Sequence, residues 1–482
     1  MHDPQGSTPA ASIAPGDDGA ARAGDAPVHP SFGQALLFWL KLGFISFGGP
    51  TGQIAVMHEE LVERRRWISE SRFLHALNFC MLLPGPEAQQ LATYIGWLLH
   101  RTWGGIVAGV LFVLPGAALL WLLSYVYVTF GNVGWVESVF YGLKPAVIAV
   151  VAMAVWRIGS KALKNEVMWV LAGLAFISIY VFKAPFPAIV LGAGVIGLLG
   201  ARARPEKFVV LRGHGASQSA GEATPHPRAV IDDDTALPEF ATASVGRALR
   251  VMLVCGAIWW APVLVAAAFG GREHVLVREG VFFSKAAMVT FGGAYAVLPY
   301  VAQHAVEREG WLTAAQMLDG LGLAETTPGP LILVVQWVGF LGGWHGGGGG
   351  DADGSSHAGG AMISGGASPL TMATLGAAIT TWTTFAPCFL WILLGAPYIE
   401  RLRRHAALTA ALSAITASVV GVVLNLAVWF AWQVLWSKER GVDGAALVIA
   451  VGAFVALAMK RNLILVILCG GAAGALWRAL SA

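Results

Sequence analysis

Apolar stretches recur along almost the whole chain, and they constrain its fold more than any other feature, because a helix needs about twenty apolar residues to cross a hydrocarbon core roughly 30 Å thick. With no water there to satisfy the backbone, only helices and closed barrels are viable. Segments such as Gly105 to Phe130 and Met372 to Leu394 are apolar on every face, whereas barrel strands alternate. The reading is an all-α, polytopic helical membrane protein. Composition agrees: 56% of the 482 residues are hydrophobic and 12% are charged, against about a quarter charged in a soluble domain.

Spans are expected near 34–57, 73–99, 104–130, 138–157, 166–182 and 185–200, and then near 246–269, 280–301, 315–343, 370–395, 406–436, 444–459 and 461–479. They divide the chain into a disordered tail (1–31), a first transmembrane repeat (32–200), a polar linker (201–245), a connecting helix and loop (246–279) and a second repeat (280–482) with a Gly-rich loop at 344–368. The tail lacks the basic start and apolar core of a secretory signal, and no lipidation motif is present. A net charge of +3, dispersed along the chain, gives no footprint for nucleic acid. Cys80, Cys255, Cys388 and Cys469 lie far apart in apolar segments and are expected as buried, unpaired thiols. The chain lacks G-x-S-x-G, H-E-x-x-H and the phosphate-binding G-x-x-x-x-G-K-[ST], so neither an enzyme nor an ATP-driven pump is expected, and no cofactor or metal is implied. His345 and His357 are expected to face solvent rather than a metal.

An internal duplication organises the apolar segments. Phe47-Gly48-Gly49 recurs as Phe291-Gly292-Gly293 and Pro84-Gly85-Pro86 as Pro328-Gly329-Pro330, both at an offset of 244 residues. At the same offset Lys41 meets Lys285, Val62-Glu63-Arg64 meets Val306-Glu307-Arg308, and Trp67 meets Trp311. Six spans in the first copy and one extra span at 246–269 make the second copy enter from the opposite side, an inverted-topology repeat. Arg157, Lys161, Lys164, the basic linker, Arg401, Arg403, Arg404, Lys460 and Arg461 then fall on the amino-terminal side, which the positive-inside rule makes cytoplasmic. Arg64, Arg65, Arg66 and Arg72 join them only if the segment before them re-enters instead of crossing.

Gly and Pro interruptions at matching places in two apolar halves point to a transport site, because a broken helix exposes backbone N–H groups at membrane depth. Such helix starts carry about half a positive charge and attract oxyanions. Phe47, Gly48, Gly49, Pro84, Gly85, Pro86 and their counterparts are therefore substrate-binding candidates; close helix packing through small residues is the competing reading for the glycines. Pro-Gly-Pro cannot continue a helix, so a break is expected there. Lys41 and Lys285 either draw a divalent anion inward or snorkel to the interface. Glu87 and Glu325 flank the two Pro-Gly-Pro elements at unmatched positions, and either carries a coupling proton or bonds the freed amides. Glu63, Arg64, Glu307 and Arg308 are candidates for gating ion pairs, with Trp67 and Trp311 at the headgroup level.

Phe47-Gly48-Gly49-Pro50, Val62-Glu63-Arg64-Arg65-Arg66-Trp67, Leu82-Leu83-Pro84-Gly85-Pro86 and Thr93-Tyr94-Ile95-Gly96 together resemble the chromate ion transporter family in its long, two-domain form. The resemblance covers about residues 32–480, apart from the linker and the Gly-rich loop. It implies a bacterial inner-membrane secondary transporter that exports chromate, is driven by the proton motive force and confers chromate resistance. Chromate or sulfate, protons and the lipid bilayer are the implied partners; the sequence leaves the oligomeric state open, a homo-oligomer included. Sulfate or another tetrahedral oxyanion is the alternative substrate. Met81-Leu82-Leu83 differs from Glu325-Thr326-Thr327 beside the second Pro-Gly-Pro, so unequal roles for the halves are expected.

Overall fold

A computed structural model describes residues 27–47, 49–131, 133–208, 228–232, 244–291, 293–349, 367–398, 406–437 and 441–481. Gly48, Gly292, most of the tail and of the linker, the Gly-rich loop from 350 to 366 with His357, and Arg401, Arg403 and Arg404 lie outside the described residues.

The first half comprises α1 (Phe32–Ile45), α2 (Gly49–His58), α3 (Glu70–Cys80), α4 (Glu87–Phe130), α5 (Gly134–Ala162), α6 (Glu166–Tyr180), α7 (Phe186–Ala203) and the short α8 (Pro205–Phe208). Helix α9 (Val245–Gly270) connects to α10 (Val275–Met288), α11 (Ala294–Ala302), α12 (Ala314–Thr326), a 3-10 turn at Leu331–Leu333 leading into α13 (Val334–Gly346), α14 (Pro369–Gly395), α15 (Ala406–Leu435), α16 (Gly444–Ala458) and α17 (Leu463–Ser481). Helices α4, α5, α7, α9, α14, α15 and α17 are long and apolar enough to cross a membrane; α1, α6, the 331–346 segment and α16 are shorter apolar helices. Exposed faces of the peripheral helices are themselves apolar, as at Val170, Leu174, Leu253 and Phe269, which suits contact with lipid chains.

Four segments expected as single spans are each two half-helices. The 34–57 segment breaks between α1 and α2, 73–99 between α3 and α4, 280–301 between α10 and α11, and 315–343 after α12. Helices α1 and α2 fold back on one another rather than continuing: Lys41 Nζ lies 3.9 Å from Glu60 Oε1, and the Phe38 and Trp67 rings are 5.0 Å apart. Such proximity is impossible if α2 extends α1, because Glu60 would then lie more than a dozen residues of helix rise, ~1.5 Å each, beyond Lys41. Residues Arg64 to Arg66 therefore return to the end of the molecule where α1 begins. The next hairpin does the same. Helix α4 reverses at His100 and Arg101, the latter at φ 56°, and His100 there packs 5.5 Å from Phe32. Gly96 and Gly104 allow the two arms to touch, since a Cβ on Gly96 would stand 2.6 Å from the Ala108 Cβ.

Both first hairpins end in a π-helical turn, at Glu59–Arg64 and at Gln303–Arg308, which lie at the 244-residue offset. The amide of Trp67 donates to Leu61 O and that of Trp311 to Ala305 O, each at 2.8 Å. The duplication thus extends to single hydrogen bonds. Trp67 and Trp311 are buried against Phe38 and Phe282. His345 is likewise buried rather than solvent-facing, because α13 runs on to Gly346 and Nδ1 of His345 bonds the Trp311 carbonyl at 2.8 Å. All four cysteines are free, but only Cys80 and Cys388 are buried; Cys469 is exposed.

Candidate functional site

The four breaks meet. The Gly85 amide donates to the Thr290 carbonyl and the Gly329 amide to the Ser46 carbonyl, both at 2.8 Å. These bonds are equivalent under the 244-residue offset. Each Pro-Gly-Pro is thereby tied to the Phe-Gly-Gly break of the other half. Proline supplies the cause: Pro84, Pro86, Pro328 and Pro330 have no N–H to give to a helix, so the one amide between each pair is free to bond across. Gly85 and Gly329 reach these positions at φ +118° and +97°, a region closed to most side chains. Gln90 Nε2 closes over the first break by donating to Pro84 O at 2.8 Å.

Between the breaks lies a narrow cleft lined by Pro50, Gln53, Pro86, Glu87, Ala88, Gly293, Ala294, Pro330, Leu331 and Ile332. These residues are the starts of α2, α4, α11 and the 331–346 segment, so four helix N-termini, two from each half, point into one space. No Lys, Arg or His is among the lining residues. Positive potential in the cleft comes from unsatisfied backbone N–H groups and helix dipoles, the arrangement that binds oxyanions at helix starts.

Of the sequence candidates, Pro86, Glu87, Gly293 and Pro330 line the cleft, and Gly85, Gly329, Pro84 and Pro328 form its framework. Gly49 opens α2 at the cleft's edge. Phe47 and Phe291 flank the breaks. Lys41 and Lys285 are placed elsewhere: both are exposed, and Lys41 turns to Glu60. Glu325 is buried and accepts a hydrogen bond from Tyr295, the residue after Ala294. Glu63 pairs with His58 at 3.2 Å, and Arg64 with Glu59 at 2.6 Å and Glu60 at 3.1 Å. These ion pairs are local to the first hairpin. Arg308 is exposed, and Glu307 lines a wider pocket with Lys183, Gln303, Asn425 and Trp429 at the far end of α11 from the cleft.

Gln53 is the residue that sequence reasoning missed. It is 1% exposed, its Nε2 donates to Gly329 O at 2.5 Å, and its Oε1 has no partner. The available signal was an amide standing alone in an otherwise apolar stretch one turn after Gly49. Among the described residues no group of three or more His, Cys, Asp or Glu is arranged for a metal.

Fold and cleft together define a multi-pass helical membrane protein, duplicated and built on broken helices. The pattern of the chromate transporter family matches residues 33–198 and again 279–475, and the chain belongs to that family. It is similar to a chromate transport protein of Pseudomonas aeruginosa, 31% identical over 93% of each chain. One from Cupriavidus metallidurans is 28% identical over 81% of this chain and 80% of its own. A probable chromate transport protein of Synechococcus elongatus is 25% identical over 83% and 85%. No solved structure matches.

Proposed function

We propose that this protein exports chromate from the cytoplasm across the bacterial inner membrane, driven by the proton motive force, and so confers chromate resistance. The observation that carries this reading is the convergence of four helix N-termini on one cleft shared by both halves. A compact tetrahedral dianion suits such a site, which offers N–H donors from several directions and about half a positive charge per helix. The names of the relatives favour chromate among such anions.

Alternating access through inverted repeats is part of the same proposal. Several contacts support it. Phe32, His100, Arg66 and linker residue Val230 gather at one end of the bundle. At the other end Tyr127 and Lys144 of the first half meet Asp319 of α12, and Glu137 meets Arg478. The first half's hairpins thus enter from one end and the second half's from the other. Arg64 to Arg66, Arg72, Lys161, Lys164 and Lys207 belong to the first end, which makes it the cytoplasmic one by the positive-inside rule. A dianion leaving a negative-inside cell gains about 2.3 kcal/mol per charge per 100 mV, so the membrane potential alone favours export.

Inverted membrane vesicles containing the protein test this. Energised vesicles are expected to accumulate labelled chromate, with an uncoupler abolishing the accumulation and sulfate competing. Exchange of labelled sulfate without chromate accumulation would move the function to a sulfate transporter or exchanger.

A further inference from the structure

We propose that Glu87 carries a proton in the same direction as the anion, so that each dianion crosses with one proton rather than in exchange for one. This rests on the reading of the cleft as the anion site. The first turn of α4 places Glu87 in the cleft lining, beside Pro86 and across from Gly293, Ala294 and Leu331. Four helix starts at about half a charge each supply roughly two positive charges, enough to balance a dianion and nothing more. An ionised Glu87 would cancel about half of that and stand beside a doubly charged ligand in a space poor in water, where like charges cannot both persist.

Among the described residues no other group beside the cleft relieves the conflict. From α2 the facing group is the neutral amide of Gln53. Cys80 ends α3 just before the first Pro-Gly-Pro, and Cys388 of α14 lies beside Gly85 and Gln90; both are thiols, not cations. From α11 and the 331–346 segment come Gly293, Ala294, Leu331 and Ile332, with no charge among them. Tyr295 follows on α11, but its hydroxyl is engaged by Glu325. The anion is therefore bound only when the Glu87 carboxyl is neutral, and its proton enters and leaves the cleft with the anion. The stoichiometry is one because the second half has Leu331 at the position matching Glu87. A dianion moving with one proton carries one net negative charge outward, so of the two components of the proton motive force the membrane potential drives export and the pH gradient opposes it.

The test uses the full-length protein in proteoliposomes, in alkaline buffer where chromate is the dianion, with a clamped potential, a pH dye inside and an inward gradient of labelled chromate. The expected result is chromate entry with acidification of the lumen, close to one proton per anion, and a flux that falls about tenfold per pH unit once the carboxyl titrates. Alkalinisation, or an unchanged lumen during chromate entry, overturns the proposal while leaving the anion cleft intact. Glu87→Gln is expected to uncouple the two ions: the chromate that still enters brings no acidification, and its rate no longer falls with rising pH. Acidification that accompanies chromate entry in that variant, or a pH dependence as steep as that of the wild type, overturns the proposal. A wild-type protein that moves no chromate removes the reading of the cleft and this inference with it.

Discussion

At the turn that closes the first hairpin, Glu60 is ringed by cations, with Arg64 at 3.1 Å, Arg65 at 3.3 Å and Lys41 at 3.9 Å; at the same register of the second hairpin stands His304, 3.4 Å from Glu309. Acid and base have exchanged places, since Glu309 occupies the register of Arg65. The aromatic floor has not changed: the Arg65 guanidinium lies 5.0 Å over Phe38, and the His304 ring stacks 3.8 Å from Phe282. The π-helical turn thus sets a carboxylate beside a nitrogen base over an aromatic ring, in opposite order in the two halves. The cleft differs more deeply. Gln53 and Glu87 of the first half are replaced by Val297 and Leu331 at the matching registers of the second, so the polar side chains of the cleft lining come from the first half.

The largest expected effects probe the shared framework. Gly85→Val is expected to abolish chromate flux in vesicles, because the residue sits at φ +118° and a Cβ there would stand 2.8 Å from Cys388 Sγ and 2.9 Å from Gln90 Nε2. Gly329→Ala meets nothing nearer than Leu333 Cδ1 at 3.2 Å, so it should cost mainly the backbone strain, about 1–2 kcal/mol, and reduce flux by roughly tenfold. Membrane content of both variants should match wild type on a blot. Equal loss in the two would break the asymmetry.

Next in size is a contrast in stability. Asp319 of the second half is 2% exposed, with Tyr127 at 3.0 Å and Lys144 at 3.5 Å, both from the first half. Asp319→Ala is expected to cost about 2 kcal/mol, because it removes the acceptor of the Tyr127 hydroxyl and the partner of Lys144, which is 25% exposed and so can turn to water. Glu60→Ala should cost only about 1 kcal/mol, since the side chains it pairs with are 36% to 62% exposed. Thermal unfolding in detergent measures both. Gln53→Val, which makes the first half resemble the second, removes one hydrogen bond to Gly329, worth about 1 kcal/mol, and should slow flux several-fold. Smallest of all, Lys41→Ala and Lys285→Ala are expected to change apparent chromate affinity by no more than about twofold, the scale of an exposed and screened charge.

The lysines also mark what the sequence could reveal. Duplication, breaks and the anion-attracting helix starts are written in Gly and Pro, whose effects are local and need no knowledge of the surroundings. Which side of a helix faces the cleft is not local. Lys41 lies six residues before Phe47 in the sequence yet turns to Glu60, and nothing between 41 and 60 announces that contact. For the same reason the fold-back of α1 on α2 was hidden: two apolar half-helices joined at Phe47 read as one span, and only the packing of Phe38 on Trp67 closes the hairpin. Glu87 and Gln53 lie between these limits, being visible as polar residues near breaks but assigned to the cleft only by the meeting of the two halves.

The central claim is that one anion binds where four helix N-termini from both halves converge. The most direct test is an electron cryomicroscopy structure of the protein with tungstate, a dense tetrahedral dianion. Density enclosed by Pro50, Glu87, Ala294 and Leu331 is the result expected. Density beside Lys41 and Lys285, or in the pocket of Lys183 and Glu307, with the cleft empty, would contradict it.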